Sequence, residues 1–123
     1  MSGRRCLLIA DDDPWLRDLL RLTFPVGWYE IVEAKNGFEA LSAVQTHVPD
    51  LVVLDWLMPH CSGAEVLAEL KREHPALPVI VLTADGTDGS RDEAEVLGAD
   101  LFLTKPFSPL ELLEGVEALL PDR

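Results

Sequence analysis

The sequence predicts an α/β protein, a doubly wound five-stranded parallel sheet with five helices, in one domain over residues 1–123. Three observations carry this. Five short apolar runs alternate strictly with five segments of helical periodicity. The runs Leu51–Leu54 and Val79–Leu82 are apolar at every position, as strands buried on both faces of a parallel sheet must be. Successive runs stand roughly 20 to 30 residues apart, enough for a helix and two turns in a right-handed crossover.

Cys6–Ala10 is the first expected strand, and it ends on Asp11-Asp12-Asp13. Asp13-Pro14 reads as an N-cap followed by proline in the first turn, and Leu16, Leu19, Leu20 and Thr23 give the first helix one apolar face. Pro25 and Gly27 end it. Trp28–Ala34 alternates loosely and carries Glu30 and Glu33, which suits an edge strand. Asn36, with Glu39 three residues on, opens a second helix whose expected inner face is Phe38, Leu41 and Val44. The central strand is expected at about Asp50–Leu54, followed by Asp55 and stopped by Pro59. Ser62 with Glu65 forms a capping box for the third helix, which faces inward through Val66, Leu67 and Leu70. Pro75 and Pro78 flank the turn into the fourth strand, Val79–Leu82, which ends on Thr83. The loop Asp85–Gly89 leads to a short fourth helix capped by Ser90 and Glu93 and ending near Gly98. Its low apolar content makes it the element expected to move most. Leu101–Leu103 is the fifth strand, closed by Thr104-Lys105-Pro106. Another capping box, Ser108 with Glu111, opens the fifth helix, with Leu113, Val116 and Leu120 inward and Pro121 as its stop.

At 123 residues and 48% hydrophobic content, the chain can build one real core and is too apolar to be disordered. Its formal net charge is −12 and its pI about 4.4. A surface this acidic repels phosphate backbones, so direct nucleic-acid binding by this domain is not expected. Cys6 and Cys61 lack metal-ligand spacing and read as free thiols of a reducing compartment. Arg4-Arg5 before a short apolar run is a poor signal peptide, because the run meets three aspartates at once, and no segment approaches transmembrane length. A cytoplasmic location, away from the membrane, is the expectation.

Four strands end on a reactive or charged group: Asp11-Asp12, Asp55, Thr83 and Lys105. In a doubly wound sheet these ends lie along one edge, where open α/β sheets bind their ligands. A strand as apolar as Leu51–Leu54 should not finish on a carboxylate unless the acid is paired, metal-bound or capping the next helix. Like charges about 4 Å apart cost about 4 kcal/mol at an effective dielectric near 20, so acids gathered there need cations. Lys105 is one. A hard divalent ion is the other, and an all-oxygen site with few carboxylates suits Mg²⁺. Carboxylate, metal, lysine and hydroxyl together make a phosphoryl-transfer site. Asp55 attacks, Lys105 and the metal neutralise charge on the phosphoryl oxygens, and Thr83 donates a hydrogen bond.

Taken in order, Asp11-Asp12, Asp55 with Met58-Pro59 and Gly63, Thr83-Ala84, and Lys105-Pro106-Phe107 resemble the receiver domain of two-component response regulators. The likeness runs from about Leu7 to Leu120, nearly the whole chain. It implies the flavodoxin-like strand order 2-1-3-4-5 and a signalling switch, not an enzyme. Asp55 is then the phosphoacceptor, forming an acyl phosphate. Asp12 and Asp55 bind Mg²⁺ directly together with the backbone carbonyl of Leu57, and Asp11 acts through water. Lys105, Thr83 and the Ala84 N–H hold the phosphoryl oxygens, and the Lys105–Pro106 bond is cis. The donor is a phosphohistidine on a sensor histidine kinase or phosphotransfer protein. On phosphorylation Thr83 is drawn to the phosphate, and the aromatic residue of the fifth strand, Phe102, follows. Many relatives have tyrosine there. Without that hydroxyl to satisfy, Phe102 is expected to populate its inward rotamer before phosphorylation. The output surface is the fourth helix, fifth strand and fifth helix.

Two other functions compete. A Mg²⁺-dependent phosphatase of the haloacid-dehalogenase type wants a second carboxylate two residues after its nucleophile, where this chain has Leu57, and a cap domain. A pseudo-receiver that only binds partners requires the site geometry to be spoiled. Arg91 is the chief basic residue of the fourth and fifth helices, against several glutamates, which disfavours the dimer of transcriptional receivers. A stand-alone regulator, monomer or weak dimer, docking onto a downstream protein target is expected, the alternative being a receiver cut from a longer protein. Leu57 and Asp85 are expected to influence the phosphoryl lifetime. His60 and Cys61 lie in the loop after the acceptor, His47 and His74 near helix ends, and Glu111, Glu114 and Glu117 on a solvated face.

Overall fold

Strands without a polar side can be buried only if helices cover both faces of their sheet. The computed structural model, which describes residues 4–58, 61–84, 86 and 88–120, has that arrangement. The elements are β1 (Arg5–Ala10), α1 (Pro14–Thr23), β2 (Tyr29–Ala34), α2 (Gly37–His47), β3 (Leu51–Asp55), α3 (Gly63–Glu73), β4 (Val79–Thr83), α4 (Asp88–Val96), β5 (Leu101–Thr104) and α5 (Pro109–Leu119). All strand pairs are parallel and the order is β2-β1-β3-β4-β5. Every residue of β3 and β4 is buried. Because side chains alternate along a strand, two cores form. Leu8, Ala10, Val52, Leu54, Val79 and Val81 pack against α2, α3 and α4. Leu7, Ile9, Leu51, Val53, Ile80 and Leu82 pack against α1 and α5.

Register carries the reactive groups to one edge. Ala10 lies beside Leu54, so Asp11 comes level with Asp55 one step later. Thr83 lies beside Thr104, which sets Lys105 just past the end of β4. Backbone bonds extend the ladder through these ends: Asp11 N–H to Ala34 O (3.0 Å), Trp56 N–H to Leu82 O (2.8 Å) and Lys105 N–H to Thr83 O (2.7 Å).

The caps form as the sequence implies. Asp13 accepts from the Trp15 N–H and Asn36 from the Glu39 N–H, and both capping boxes, Ser62 with Glu65 and Ser108 with Glu111, are closed. Several phases and ends differ from expectation. Phe38 is 62% exposed, and α2 turns Gly37, Ala40 and Val44 inward instead. Gly37 sets that phase, for a Cβ there would lie 2.5 Å from the Cβ of Cys61. In α5 the buried pair is Leu112 and Val116, while Leu113 and Leu120 only flank the core. Leu19 of α1 is 38% exposed, and Phe24, just past the helix, is buried in the core. The fourth helix starts at Asp88, which leaves Ser90 inside it and not at its cap. Trp28 precedes β2 and is exposed, Asp50 precedes β3, and Thr104 belongs to β5. Gly98 ends the α4 region with φ +104, a conformation that favours glycine. Both cysteines are free. Among the described residues no helix is long and apolar enough to cross a membrane. The expected stops at Pro59 and Pro121 and the roles assigned to His60 and Asp85 fall outside the described residues.

Gly63 marks where α3 closes onto the end of β3. A Cβ at this position would meet Trp56 Cα at 2.6 Å, Trp56 O at 2.7 Å and Asp55 O at 2.8 Å, all backbone atoms. None can give way without moving the segment that carries Asp55. Gly63→Ala is therefore expected to lower urea-unfolding stability by about 2 kcal/mol or more. An unchanged midpoint and slope would show that this junction is looser than the distances imply.

Candidate functional site

Among the described residues the buried polar or charged side chains are Asp11, Asp55 and Thr83, and all three sit at the carboxyl edge of the sheet. Asp11 is 0% exposed and Asp55 4%. Burial of acids requires partners. Asp11 has them on both oxygens: Oδ1 accepts from the Asp13 N–H (2.9 Å) and Oδ2 from Lys105 Nζ (2.9 Å). Asp55 is less well served. Its Oδ1 accepts a long bond from the Leu57 N–H (3.3 Å) and lies 3.6 Å from Lys105 Nζ, a charge contact beyond hydrogen-bond length. Asp12 is exposed. The bond between Lys105 and Pro106 is cis.

The electrostatics follow from this imbalance. Burial is the largest influence on Asp55, followed by the charge of Asp11, and together they raise its pKa from 3.8 to about 7 against the opposing pull of Lys105 and the Leu57 N–H. For Lys105, burial works to lower the pKa, but the hydrogen bond and charge of Asp11 and the charge of Asp55 outweigh it, and the net shift is upward. The site thus holds its lysine charged and lacks positive charge at Asp55.

One oxygen from each of Asp11, Asp12 and Asp55 lies within 4.8 Å of the other two. Bonds of about 2.0–2.1 Å place opposite ligands of a small divalent ion about 4 Å apart, so the cluster is close to the right size. Its donors are all oxygen, as a hard cation prefers. Lys105 and the Asp13 N–H each donate to one oxygen of Asp11, whereas Asp12 is exposed. Ala84 is exposed directly after Thr83, and Leu57 is exposed two residues after Asp55.

The structure brings Asp11, Asp12, Asp55 and Lys105 together and buries Thr83 beside them at the end of β4. Phe102 lies one strand further on, 7% exposed in the core shared with α3 and α4, with the Arg91 guanidinium carbon 4.8 Å from its ring centroid. Cys61 is buried, and Glu111, Glu114 and Glu117 are exposed as the sequence implies. Sequence reasoning missed Arg17. It donates to the Asp11 carbonyl oxygen (2.8 Å) and to Glu33 (2.8 Å). The available signal was two arginines one turn apart, Arg17 and Arg21, opposite an acid on the edge strand.

Comparison with known proteins agrees with this geometry. A family model described as the response regulator receiver domain matches residues 7–117. The chain is 36% identical over 118 residues to the phosphate regulon transcriptional regulatory protein PhoB of Pseudomonas aeruginosa, covering 94% of this chain and 52% of that protein. The receiver domain of Francisella response regulator 1452 superposes with a TM-score of 0.87 at 34% identity, covering 94% of this chain and 96% of that one. A CheX–CheY–BeF3–Mg+2 complex from Borrelia burgdorferi gives 0.88 at 26% identity, covering 96% and 90%. The chain spans about half the length of the curated relatives it matches.

The raised pKa of Asp55 has a consequence for stability. The folded protein binds this proton more tightly than the unfolded chain, so the contribution favours folding at low pH and is lost as pH rises from 3.8 to about 7. Above that, ionised Asp55 costs on the order of 2–4 kcal/mol. In metal-free urea unfolding, Asp55→Asn should be the more stable protein at about pH 8 by on the order of 2 kcal/mol, with the difference gone by about pH 4. Equal stabilities at the higher pH would contradict the burial described above.

Proposed function

The chain belongs to the response regulator receiver family, and from that footing we propose that Asp55 is its phosphoacceptor, taking a phosphoryl group from a phosphohistidine of a sensor histidine kinase or phosphotransfer protein. The observation that carries this is the pairing of a buried, under-compensated carboxylate with an ammonium 3.6 Å away. A carboxylate nucleophile needs to be stripped of water yet kept ionised, and the two demands conflict unless cations are at hand. Lys105 supplies one. Asp12, Asp55 and the Leu57 carbonyl would hold Mg²⁺, with Asp11 reaching it through water. When bound, the ion neutralises charge on the phosphoryl oxygens and keeps Asp55 deprotonated.

Asp55 attacks phosphorus, the bond from phosphorus to the donor histidine nitrogen breaks, and an acyl phosphate remains on Asp55. Lys105, the Thr83 hydroxyl and the Ala84 N–H receive the phosphoryl oxygens. Asp11 takes no part in bond making. It holds the Lys105 ammonium in place. The new phosphate adds about −1.5 to −2 charges at one point. Thr83 turns toward it, and Phe102 and Arg91 transmit the change to the surface of α4, β5 and α5, where a downstream protein docks. The Borrelia complex was solved with BeF3 and Mg+2, and the same pair is expected to bind here. Direct nucleic-acid contact is not part of this proposal, since the domain carries a net charge of −12.

Acetyl phosphate treatment of the purified protein, followed by intact mass spectrometry, tests the assignment. One phosphoryl group should add in the presence of Mg²⁺ and none after chelation, and Asp55→Asn should remain unmodified. Lys105→Ala should slow the reaction by about 10²-fold. Modification of Asp55→Asn at the parental rate, or a rate indifferent to Mg²⁺, would overturn the proposal.

A further inference from the structure

Asp11 is held from four directions. Its N–H donates to Ala34 O (3.0 Å), its Oδ1 accepts from the Asp13 N–H (2.9 Å), and its Oδ2 accepts from Lys105 Nζ (2.9 Å). The fourth contact comes from outside the site. Arg17 of α1 donates through Nη1 to the Asp11 carbonyl oxygen at 2.8 Å. The same guanidinium donates through Nε to Glu33 Oε1 on β2 at 2.8 Å, and the two side chains are 16% and 25% exposed. Glu33 is anchored in turn by Arg21, whose Nε donates to Oε2 at 2.8 Å. For Glu33 burial alone would raise the pKa, but the bonds and charges of Arg21 and Arg17 outweigh it and lower it, so the acid stays ionised. A planar fork gripped on one side by a carboxylate has little freedom left to swing.

The oxygen that Arg17 holds belongs to the peptide joining Asp11 to Asp12. A peptide unit is rigid, so fixing its carbonyl fixes the plane and the position of the Asp12 Cα from which that side chain departs. Taking as given that Asp11, Asp12 and Asp55 form the Mg²⁺ site, we propose that Arg17 is a positioning residue for it. Its Glu33-anchored guanidinium sets the Asp11–Asp12 peptide so that the exposed Asp12 carboxylate is presented to the ion. Helix α1 and edge strand β2 are thereby tied to the metal site without either supplying a ligand.

The sign of the effect separates positioning from other roles. Arg17 is a cation close to a cation site, so its charge alone opposes Mg²⁺ binding, and on electrostatic grounds its removal should tighten the site. A purely structural role would leave the affinity unchanged and lower stability only. Positioning requires the affinity to fall. Isothermal titration with Mg²⁺ alone, on the whole chain, reads this directly. Arg17→Gln and Arg17→Lys are both expected to bind Mg²⁺ about tenfold more weakly, the size usual for groups that orient metal ligands. Arg17→Lys keeps the charge and one contact but cannot grip Glu33 and the carbonyl together, so it carries the test should Arg17→Gln not fold. Affinities within about twofold of the parent, or tighter binding by Arg17→Gln, would overturn the proposal while leaving the metal site standing. A parent protein that binds no Mg²⁺ would remove the site itself, and the role of Arg17 with it.

Discussion

One lysine is set against three acids at the end of a sheet whose central strands are buried throughout, and the rest of the structure accommodates that imbalance. Lys105 sits within 2.9 Å of Asp11 and 3.6 Å of Asp55, while Asp12 stays in water. A single ammonium cannot compensate two buried carboxylates. Asp11, hydrogen-bonded on both oxygens, takes the better share, and Asp55 is left with a proton affinity that straddles neutral pH. Left alone, such a group is a burden on folding. In the proposed function the same unsatisfied charge would favour binding of a divalent ion, which in turn would accept the phosphoryl oxygens. The stability that tolerates it comes from the two apolar layers, in which β3 and β4 are buried at every residue.

The placement of these groups is a matter of register more than of loops. Asp11 and Asp55 become neighbours because Ala10 and Leu54 pair, and Lys105 arrives because Thr83 pairs with Thr104. Gly63 lets α3 start against the Asp55–Trp56 backbone, closer than any side chain would permit. Further from the charges, Arg91 lies over the ring of Phe102 and joins α4 to β5. In the proposed switch this is where the charge added at Asp55 reaches a surface that another protein can read.

Much of this was legible in the residues. Apolar runs with no polar alternation announced a parallel sheet, and acids, a threonine and a lysine at the ends of four strands announced the edge where they would meet. The caps were equally plain, since Ser62 with Glu65 and Ser108 with Glu111 are local devices that need no tertiary help. Helix phase was less so. Phe38 points to solvent because Gly37 must lie against Cys61, and Leu112 lies inward where the sequence suggested Leu113. Gly115, whose added Cβ would lie 2.5 Å from Leu101, brings α5 close to β5 at that phase. Such close approaches are tertiary facts that periodicity does not encode. Arg17 was only half legible for a related reason: its pairing with Glu33 had a signal in the Arg17–Arg21 spacing, but its partner at the site is a backbone carbonyl, which leaves no trace in composition or spacing.

The protonation of Asp55 itself is the most direct test of this account. Carbon-13 labelling of the aspartate carboxyls and an NMR titration of the metal-free protein, assigned with Asp55→Asn, should give this residue a midpoint near 7. Added Mg²⁺ should move that midpoint well down, because the ion favours the carboxylate. A midpoint in the ordinary range below about 5 without metal, or one that ignores Mg²⁺, would mean that the acids and the lysine do not share the buried, under-compensated pocket described here.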